Sequence, residues 1–594
     1  MRIRLCLTLS LMLCTPLSPA WGAERPNVVL VITDDQGYGD LGCHGNPVLK
    51  TPEIDALFKE SVRLADYHVA PTCSPTRAAL MTGNWTDRTG VWHTVLGRSL
   101  LKENFTTMGQ IFQNAGYTTG MFGKWHLGDN YPYRAEDRGF TEVLRHGGGG
   151  VGQISDAWNN AYFGGSYFHN SRPVPVEGFC TDVFFDAARQ FIKKQKAAKQ
   201  PFLAYIATNA PHGPMHAPPE SSVPYQNLPV DLANFFGMIA NIDDNVGRLR
   251  AFLAEEGLAQ NTIFIFTTDN GTAAGDSINN GGMRGKKGSE YDGGHRVPFF
   301  VYWPEGGLTG GRDVNPITAH VDVLPTLIDL CGIPVDSSIH FDGRSIKPLL
   351  SGNTVEWPDR ILVTDSQRVK DPVKWKQTAV MTSQWRLVNG KELYEIAVDP
   401  LQTLNVIEQH PEVVTRLTQF YDAWWAELEP SFKEDALIYL GHPAENPASL
   451  TSHDWITEGL PPWNQGDVRK GLAGKSNMGY WNVKVVEDGD YEIRLRRWPI
   501  AADAPLDASL APGDPVPGGT AFRSHPGKAI PIVHATIEVG DQKAAIDVPS
   551  GAREAVFRLP LKAGVTRLNA RFQTGDGQEV GAYYAYVERL SPLK

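Results

Sequence analysis

Four short apolar runs fix what the first half of this chain can fold into: NVVLVIT (27–33), TTGMFG (118–123), PFLAYIAT (201–208) and TIFIFTT (262–268). They read as strands buried on both faces, as in a mostly parallel sheet covered by helices. Helical patterns lie between them. TPEIDALFKE (51–60) has Thr51 as cap and Pro52 at the first position, and DVFFDAARQFIKKQKAAK (182–199) follows later. Strands alternating with helices imply an α/β domain.

Each run ends in a polar cluster: Asp34-Asp35, then Lys124-Trp125-His126, then Asn209-Ala-Pro-His212, then Asp269-Asn270-Gly271. In open α/β sheets the ligand crevice lies outside the carboxyl ends of the strands, so these clusters should converge there. Asp34, Asp35, Asp269 and Asn270 offer four hard oxygen side chains and no soft ones, a set that favours Ca²⁺ or Mg²⁺ over zinc. Singly, each pair reads as ordinary turn chemistry; both at sheet ends favour a metal. Lys124, His126, His212 and Lys287 are the cationic and proton-handling candidates. His212 lies in NAPHGPMHAPP, where prolines stiffen the loop, and His216 in the same stretch is an open alternative. Lys286 and Lys287 sit in MRGKKGSEYDGGHRVPFF, whose glycines let backbone approach a ligand closely.

The stretch APTCSPTRAALMTG (70–83) reads as a helix with Ser74 as cap, Pro75 in the first turn and Gly83 at the end. Cys73 then sits at the positive end of the helix dipole. Arg77, four residues on, can fold over the same face, so a polar species made from Cys73 would be held by charge and by backbone donors.

At 594 residues the chain needs two or three domains. A net charge of -11 argues against nucleic acid as a partner, and beyond the N-terminus no segment is apolar enough to span a bilayer. The N-terminus carries Arg2 and Arg4, an apolar run to Leu13 and a small-residue site at Ala20-Trp-Gly22. It reads as a signal peptide (1–22), with a periplasmic or secreted destination. Cys43, Cys73, Cys180 and Cys331 remain, open to three disulfide connectivities; with Cys73 modified, at least one of the others stays unpaired. The expected organisation is a catalytic α/β domain at 25–354, a smaller α+β unit at 355–430, a Pro/Gly/Asn-rich linker at 431–475 and a β-sandwich at 476–594. The sandwich is read from alternation in YWNVKVVEDGDYEIRLRRWP and beyond, with a hairpin turn at Asp488-Gly489. Trp481 or Trp498 could touch a glycan there, although core packing is the favoured reading. The Gly- and aromatic-rich stretch 146–180, with Gly147 to Gly150, reads as a substrate-facing loop.

CSPTR resembles the C-x-P-x-R signature of the formylglycine-dependent sulfatases of the alkaline phosphatase superfamily. LVITDDQGYGDLGCHGN, GYTTGMFGKWHLG, APHGP, TTDNG, MRGKKGSEYDGGHRVPFFVYWP and LYEIAVDPLQTLNV are similar to that family in its order, over about residues 25–430. The resemblance implies a mostly parallel, mixed central sheet with a small α+β subdomain, to which the β-sandwich is an addition. It also implies that a maturation enzyme oxidises Cys73 to Cα-formylglycine, whose hydrate attacks sulfur. One Ca²⁺ would be held by Asp34, Asp35, Asp269 and Asn270 and faced by the modified Cys73. Arg77 and Lys124 would steady the diol and the sulfate, His126 would act on the diol, His212 would protonate the leaving oxygen, and Lys287 would balance charge. Where the family often has Gly-Gly-Lys this chain has Gly285-Lys286-Lys287. Lys287 aligns with the common lysine, and Lys286, Arg284 and Arg296 become candidate substrate contacts. The implied substrate is a sulfated saccharide, from similarity to bacterial polysaccharide sulfatases in FCTDVFFDAARQFI and DGGHRVPFF. A phosphoesterase of the same superfamily and a non-catalytic glycan-binding protein are the alternatives; the first would want two metals, and no paired-His set for two zinc ions is present.

Overall fold

The computed structural model describes residues 25–352, 357–471, 478–517 and 523–590; the signal peptide read at 1–22 lies outside them. In chain order, the elements that position the site are β1 (Asn27–Thr33), α1 (Cys73–Thr82), β2 (Thr118–Gly123), α2 (Cys180–Ala198), β3 (Phe202–Ala207), α3 (Val230–Glu255), β4 (Thr262–Thr268) and β5 (Phe299–Tyr302). The four apolar runs are adjacent strands of one ten-stranded sheet, in the order β2-β3-β1-β4, with β5 beyond β4. All three contacts among the four are parallel, while β5 pairs antiparallel with β4, which makes the sheet mixed.

Strand geometry explains the unbroken apolar runs. Val28, Leu30 and Ile32 pack with Ala78, Leu80 and Met81 of α1 in one core. Val29 and Val31, pointing the other way, pack with Phe184 and Phe185 of α2 and with Met238 and Ile242 of α3. All five β1 side chains are fully buried, each stabilising the sheet by about 1.5–3 kcal/mol relative to exposure. Because neighbouring strands lie about 4.8 Å apart, the carboxyl ends of β2, β3, β1 and β4 fall within roughly 15 Å of one another. The polar clusters therefore share one rim.

Helix α1 starts earlier than expected. Thr72, extended at φ -145°, is the cap residue, and Cys73 is the first helical residue; Ser74 lies inside the first turn and makes no capping bond. Gly83 ends the helix in the left-handed conformation, as read from the sequence. Cys43, Cys73, Cys180 and Cys331 are all unpaired thiols.

The smaller α+β unit is a four-stranded antiparallel sheet that includes β6 (Trp385–Val388), backed by α4 (Pro411–Leu428) with Trp424 and Trp425 buried. Arg386 of β6, fully buried, crosses to the large sheet's loops. It donates to Asp292 Oδ1 at 2.9 Å and to Asp66 Oδ1 at 3.0 Å.

The C-terminal unit has two sheets of mainly antiparallel strands, one of which pairs β7 (Tyr480–Val485) with β8 (Gly564–Thr574). Two expectations are corrected there. The strand after Asp488 does not return beside β7 as a hairpin; residues 489–496 join the opposite sheet, paired with 555–561 and 584–589. The stretch read as a linker supplies Ile438–Leu440 to one sheet and Ala448–Thr451 to the other. Trp481 and Trp498 are fully buried in this unit's core, so neither reaches a glycan. Leu100, Tyr133 and Ile154 of the catalytic unit complete that core.

Removing one partner of a buried ion pair strands a charge, which costs about 3–5 kcal/mol. Arg386→Met is expected to lower the urea midpoint of unfolding by a corresponding amount. An unchanged midpoint would show that the seam is held by apolar packing alone.

Candidate active site

The rim loops are laced together before any side chain is considered. The amide of Asp269 donates to Thr33 O, that of Asp34 to Ala210 O, and that of Lys124 to Ala207 O at 2.7 Å. At Gly123 any Cβ would fall 1.9 Å from Ala207 O, so only glycine lets β2 deliver Lys124 so close to β3. Asp35 and His126 hold positive φ, 68° and 58°, an uncommon state that surrounding contacts must maintain.

Three carboxylates and three cations interlock here. Lys124 Nζ donates to Asp34 Oδ2 at 2.7 Å, Lys287 Nζ to Asp35 Oδ2 at 2.6 Å, and Arg77 Nη2 to Asp269 Oδ2 at 2.8 Å. Arg77 also donates Nη1 to Lys124 O. The backbone of Asp35 donates to Asp269 Oδ1, and Asn270 Nδ2 to Asp35 Oδ1. Burial raises the Asp34 carboxyl, against the pull of Lys124. Asp269 is pushed up to about 6 by burial and by Asp34. Burial would raise Asp35 too, but Lys287 and His212 hold it below the usual carboxylate range.

Ligand atoms of Asp34, Cys73 and Asp269 lie within 4.8 Å of one another, all buried. Asp34 Oδ1 and the amide oxygen of Asn270 are buried and lack a hydrogen-bond partner among the described residues. Raised carboxyls and two orphaned hard oxygens beside Cys73 are what a divalent cation with oxygen preference would satisfy, so the residues present fit Ca²⁺. A second acidic group, Asp66, His68 and Asp292, is already bridged by Arg386.

Two histidines face this cluster with opposite nitrogens free. His126 Nε2 meets Thr94 O at 2.9 Å, which assigns the proton to Nε2 and leaves the buried, unpartnered Nδ1 as acceptor. His212 Nδ1 meets Gly213 O at 2.7 Å, leaving Nε2, 3.8 Å from Asp35 Oδ2. Burial and the charge of Lys287 push His212 down to about 3. His216 lies beside Tyr162, with ring centroids 6.0 Å apart, so His212 is the histidine that meets the cluster.

The tetraglycine loop has a physical reason. A Cβ on Gly149 would fall 2.2 Å from His126 Cε1, and one on Gly150 3.6 Å from His212 Nδ1. The bare backbone thus roofs both histidines. Gly149 N donates to Gln153 Oε1, and Asp156 accepts from Gly147 N and Gly152 N. The C-terminal unit braces the loop from behind: Ile154 N donates to Trp463 O, and Gln465 Nε2 to Gln153 O.

The three candidate substrate contacts have partners within the chain, while Arg284 and Lys286 stay exposed. Arg296 donates twice to Ala65 O; Arg284 is held by Tyr394 and Gln402 and stacks 3.7 Å over Tyr291; Lys286 pairs with Asp276. One residue was missed. His453 comes from the stretch read as linker. Its ring lies 6.0 Å from that of His126, its Nδ1 meets Asp454 at 2.9 Å, and its Nε2 is buried and unpartnered among the described residues. Burial would lower its pKa, yet Asp454 raises it above the ordinary value. The only local signal is the Ser-His-Asp triplet at 452–454, too short to carry weight.

Comparison with known proteins gives a consistent result. The Sulfatase family model matches residues 26–333, and the model described as N-sulphoglucosamine sulphohydrolase, C-terminal, matches 286–423. N-acetylgalactosamine-6-sulfatase of Canis lupus familiaris is 30% identical over 388 residues, covering 59% of this chain and 70% of that protein. Arylsulfatase G of the same species is 30% identical over 393 residues, covering 55% and 68%. The solved structure of Ps i-CgsB in complex with k-i-k-neocarrahexaose superposes with a TM-score of 0.63 at 28% identity, covering 69% of this chain and 94% of that one.

The Gly149 contact is directly checkable. Gly149→Ala must displace His126 or lift the loop, and sulfate-ester turnover is expected to fall by about 10²-fold, the cost of misplacing a proton-transfer group. Gly150→Ala, whose nearest neighbour is a flexible Gln153 amide at 3.3 Å, should cost far less. Equal effects in the two variants, measured at unchanged thermal stability, would remove the roof's role.

Proposed function

The chain belongs to the sulfatase family and is a sulfuric ester hydrolase, and from that premise we propose that it removes sulfate from a sulfated carbohydrate, using residue 73 as formylglycine beside one Ca²⁺. The observation that carries this reading is the convergence of Cys73 with three buried carboxylates and their three cations. N-acetylgalactosamine-6-sulfatase is named for a sugar sulfate and Ps i-CgsB is solved with k-i-k-neocarrahexaose, which supports the saccharide part.

Asp34, Asp35, Asp269 and Asn270 would hold the ion, which when bound would add positive charge that polarises the sulfate oxygens. Oxidised and hydrated, residue 73 would supply one hydroxyl to attack sulfur and a second whose deprotonation lets the sulfate go. The chain's own groups do the rest. Arg77 and Lys124 are fixed on Asp269 and Asp34, so their charges are already oriented when the substrate arrives. His126 Nδ1, the open acceptor, takes a proton from the residue 73 side. His212 Nε2 faces the leaving oxygen. Its low pKa reflects burial and Lys287, and an incoming sulfate anion offsets that charge, letting Nε2 carry the proton it donates. With Asp34, Asp35 and Asp269 ionised against Arg77, Lys124 and Lys287, the protein side is charge-balanced. A divalent ion then makes the pocket net positive, which suits a sulfate ester.

In the matured protein, the peptide containing Cys73 should show sulfur replaced by oxygen with loss of two hydrogens. Cys73→Ala should lose sulfate release by about 10³-fold or more. Chelator treatment should abolish turnover and Ca²⁺ restore it. A panel of defined sulfated saccharides, each paired with its phosphate analogue, decides the substrate. Retained activity with an unmodified thiol, or faster phosphate than sulfate release, would overturn the reading.

A further inference from the structure

A second cavity lies a short way along the chain from the rim. Arg368 is exposed, with its guanidinium against Gly288, next to Lys287. Two residues further, at most about 7 Å along the chain, Lys370 lines a cavity of about 1000 Å³. Ile456 and Glu458, a few residues on from His453 beside His126, line the same cavity. Its floor is the outer face of the C-terminal sheet. Along β8, Leu568, Ala570 and Phe572 point into the sandwich core, so Arg567, Asn569 and Arg571 point out together. Tyr480 of β7 is the cross-strand partner of Asn569 and shares that face.

The chemistry of this face is specific. Arg567 stacks on the Tyr480 ring at 4.5 Å and has no carboxylate partner among the described residues. Lys370 pairs with Glu458 at 2.9 Å and lies 3.9 Å from Asp371, and Arg571 pairs with Glu579 at 3.0 Å and Glu538 at 3.5 Å, which leaves Arg567 as the guanidinium of this face without a carboxylate partner among the described residues. An aromatic ring, an amide and that guanidinium suit a sugar that carries anionic groups. The volume is at the upper end of small-ligand clefts, enough for several sugar rings. The sheet lies outside the family-matched residues 26–423.

We propose that this groove is a second binding site for the substrate chain, holding the sulfated sugar units that follow the one being desulfated. It rests on the saccharide reading above and deepens it: the enzyme acts on oligomers or polymers, with the C-terminal sheet as the distal subsite.

The test uses the full chain and its Tyr480→Ala/Arg567→Ala variant, with chondroitin 6-sulfate and ι-carrageenan oligosaccharides from two to six sugars and 4-nitrophenyl sulfate. For the better-cleaved series, wild-type kcat/KM should rise with chain length, and the hexasaccharide-to-aryl-sulfate ratio of kcat/KM should fall about tenfold in the variant. A ratio within about twofold of wild type, or no length dependence in wild type, overturns the proposal. Calorimetry on a Cys73→Ala background supplies a readout independent of turnover. Hexasaccharide binding weakened about tenfold by the groove substitutions supports the site, and equal binding, or none in either protein, refutes it. Absent turnover of every sulfate ester, with groove-dependent binding intact, would sink the catalytic reading while leaving the groove standing.

Discussion

Everything at the rim follows from one electrostatic constraint: three carboxylates from two neighbouring parallel strands are buried within reach of one another. Such a group cannot persist in a low-dielectric interior without compensation. Arg77, Lys124 and Lys287 supply it, each from a different element, and so the first turn of α1, the end of β2 and the 284–288 loop are all drawn to the same place. Arg77 and Cys73 share α1, so the Arg77–Asp269 pair holds Cys73 beside the cluster. With Thr72 rather than Ser74 as the cap, Cys73 is the first helical residue, at the positive end of the helix.

The second constraint is mechanical. His126 and His212 sit on loops, and loops are mobile unless something packs on them. Here a run of glycines packs on both rings, and the C-terminal unit holds the residues that follow them: Trp463 O accepts from Ile154 N, Gln465 donates to Gln153 O, and Arg523 donates to Asn159 O and Asn160 O. The C-terminal unit is therefore a structural part of the rim. Its shared core with Leu100, Tyr133 and Ile154 makes it a buttress rather than a tethered module.

This division explains what could be read from the residues. The central strands were legible because burial on both faces leaves an unbroken apolar run, and the polar residues that end each run stand at one rim by topology alone. The crossing after Asp488 was not, because alternation records which face of a strand is buried and says nothing about which strand lies beside it. Segment 431–475 looked like linker because its strands are three and four residues long, too short to show a period. His453 was invisible for a different reason: it meets His126 across more than 300 positions, and no local spacing encodes such a contact. The partners of Arg284 and Arg296 were not legible either, because a sequence shows a charge but not what it meets; here Ala65, Tyr394 and Gln402 accept from those guanidiniums.

The overall charge of -11 and a sulfated substrate are reconciled by the same accounting at two scales. At contact distance the balanced rim becomes positive once a divalent ion joins it. Beyond the rim an anion can meet exposed Arg368, and Arg567, which rests on Tyr480 and has no carboxylate partner among the described residues. At physiological ionic strength fields fade within about 8 Å, so the acidic remainder of the surface is largely screened from an anion already in the groove. What such an anion meets in the groove is the local pattern of Arg567, Tyr480 and Asn569. A pocket that recognised only a sulfate group would need none of it.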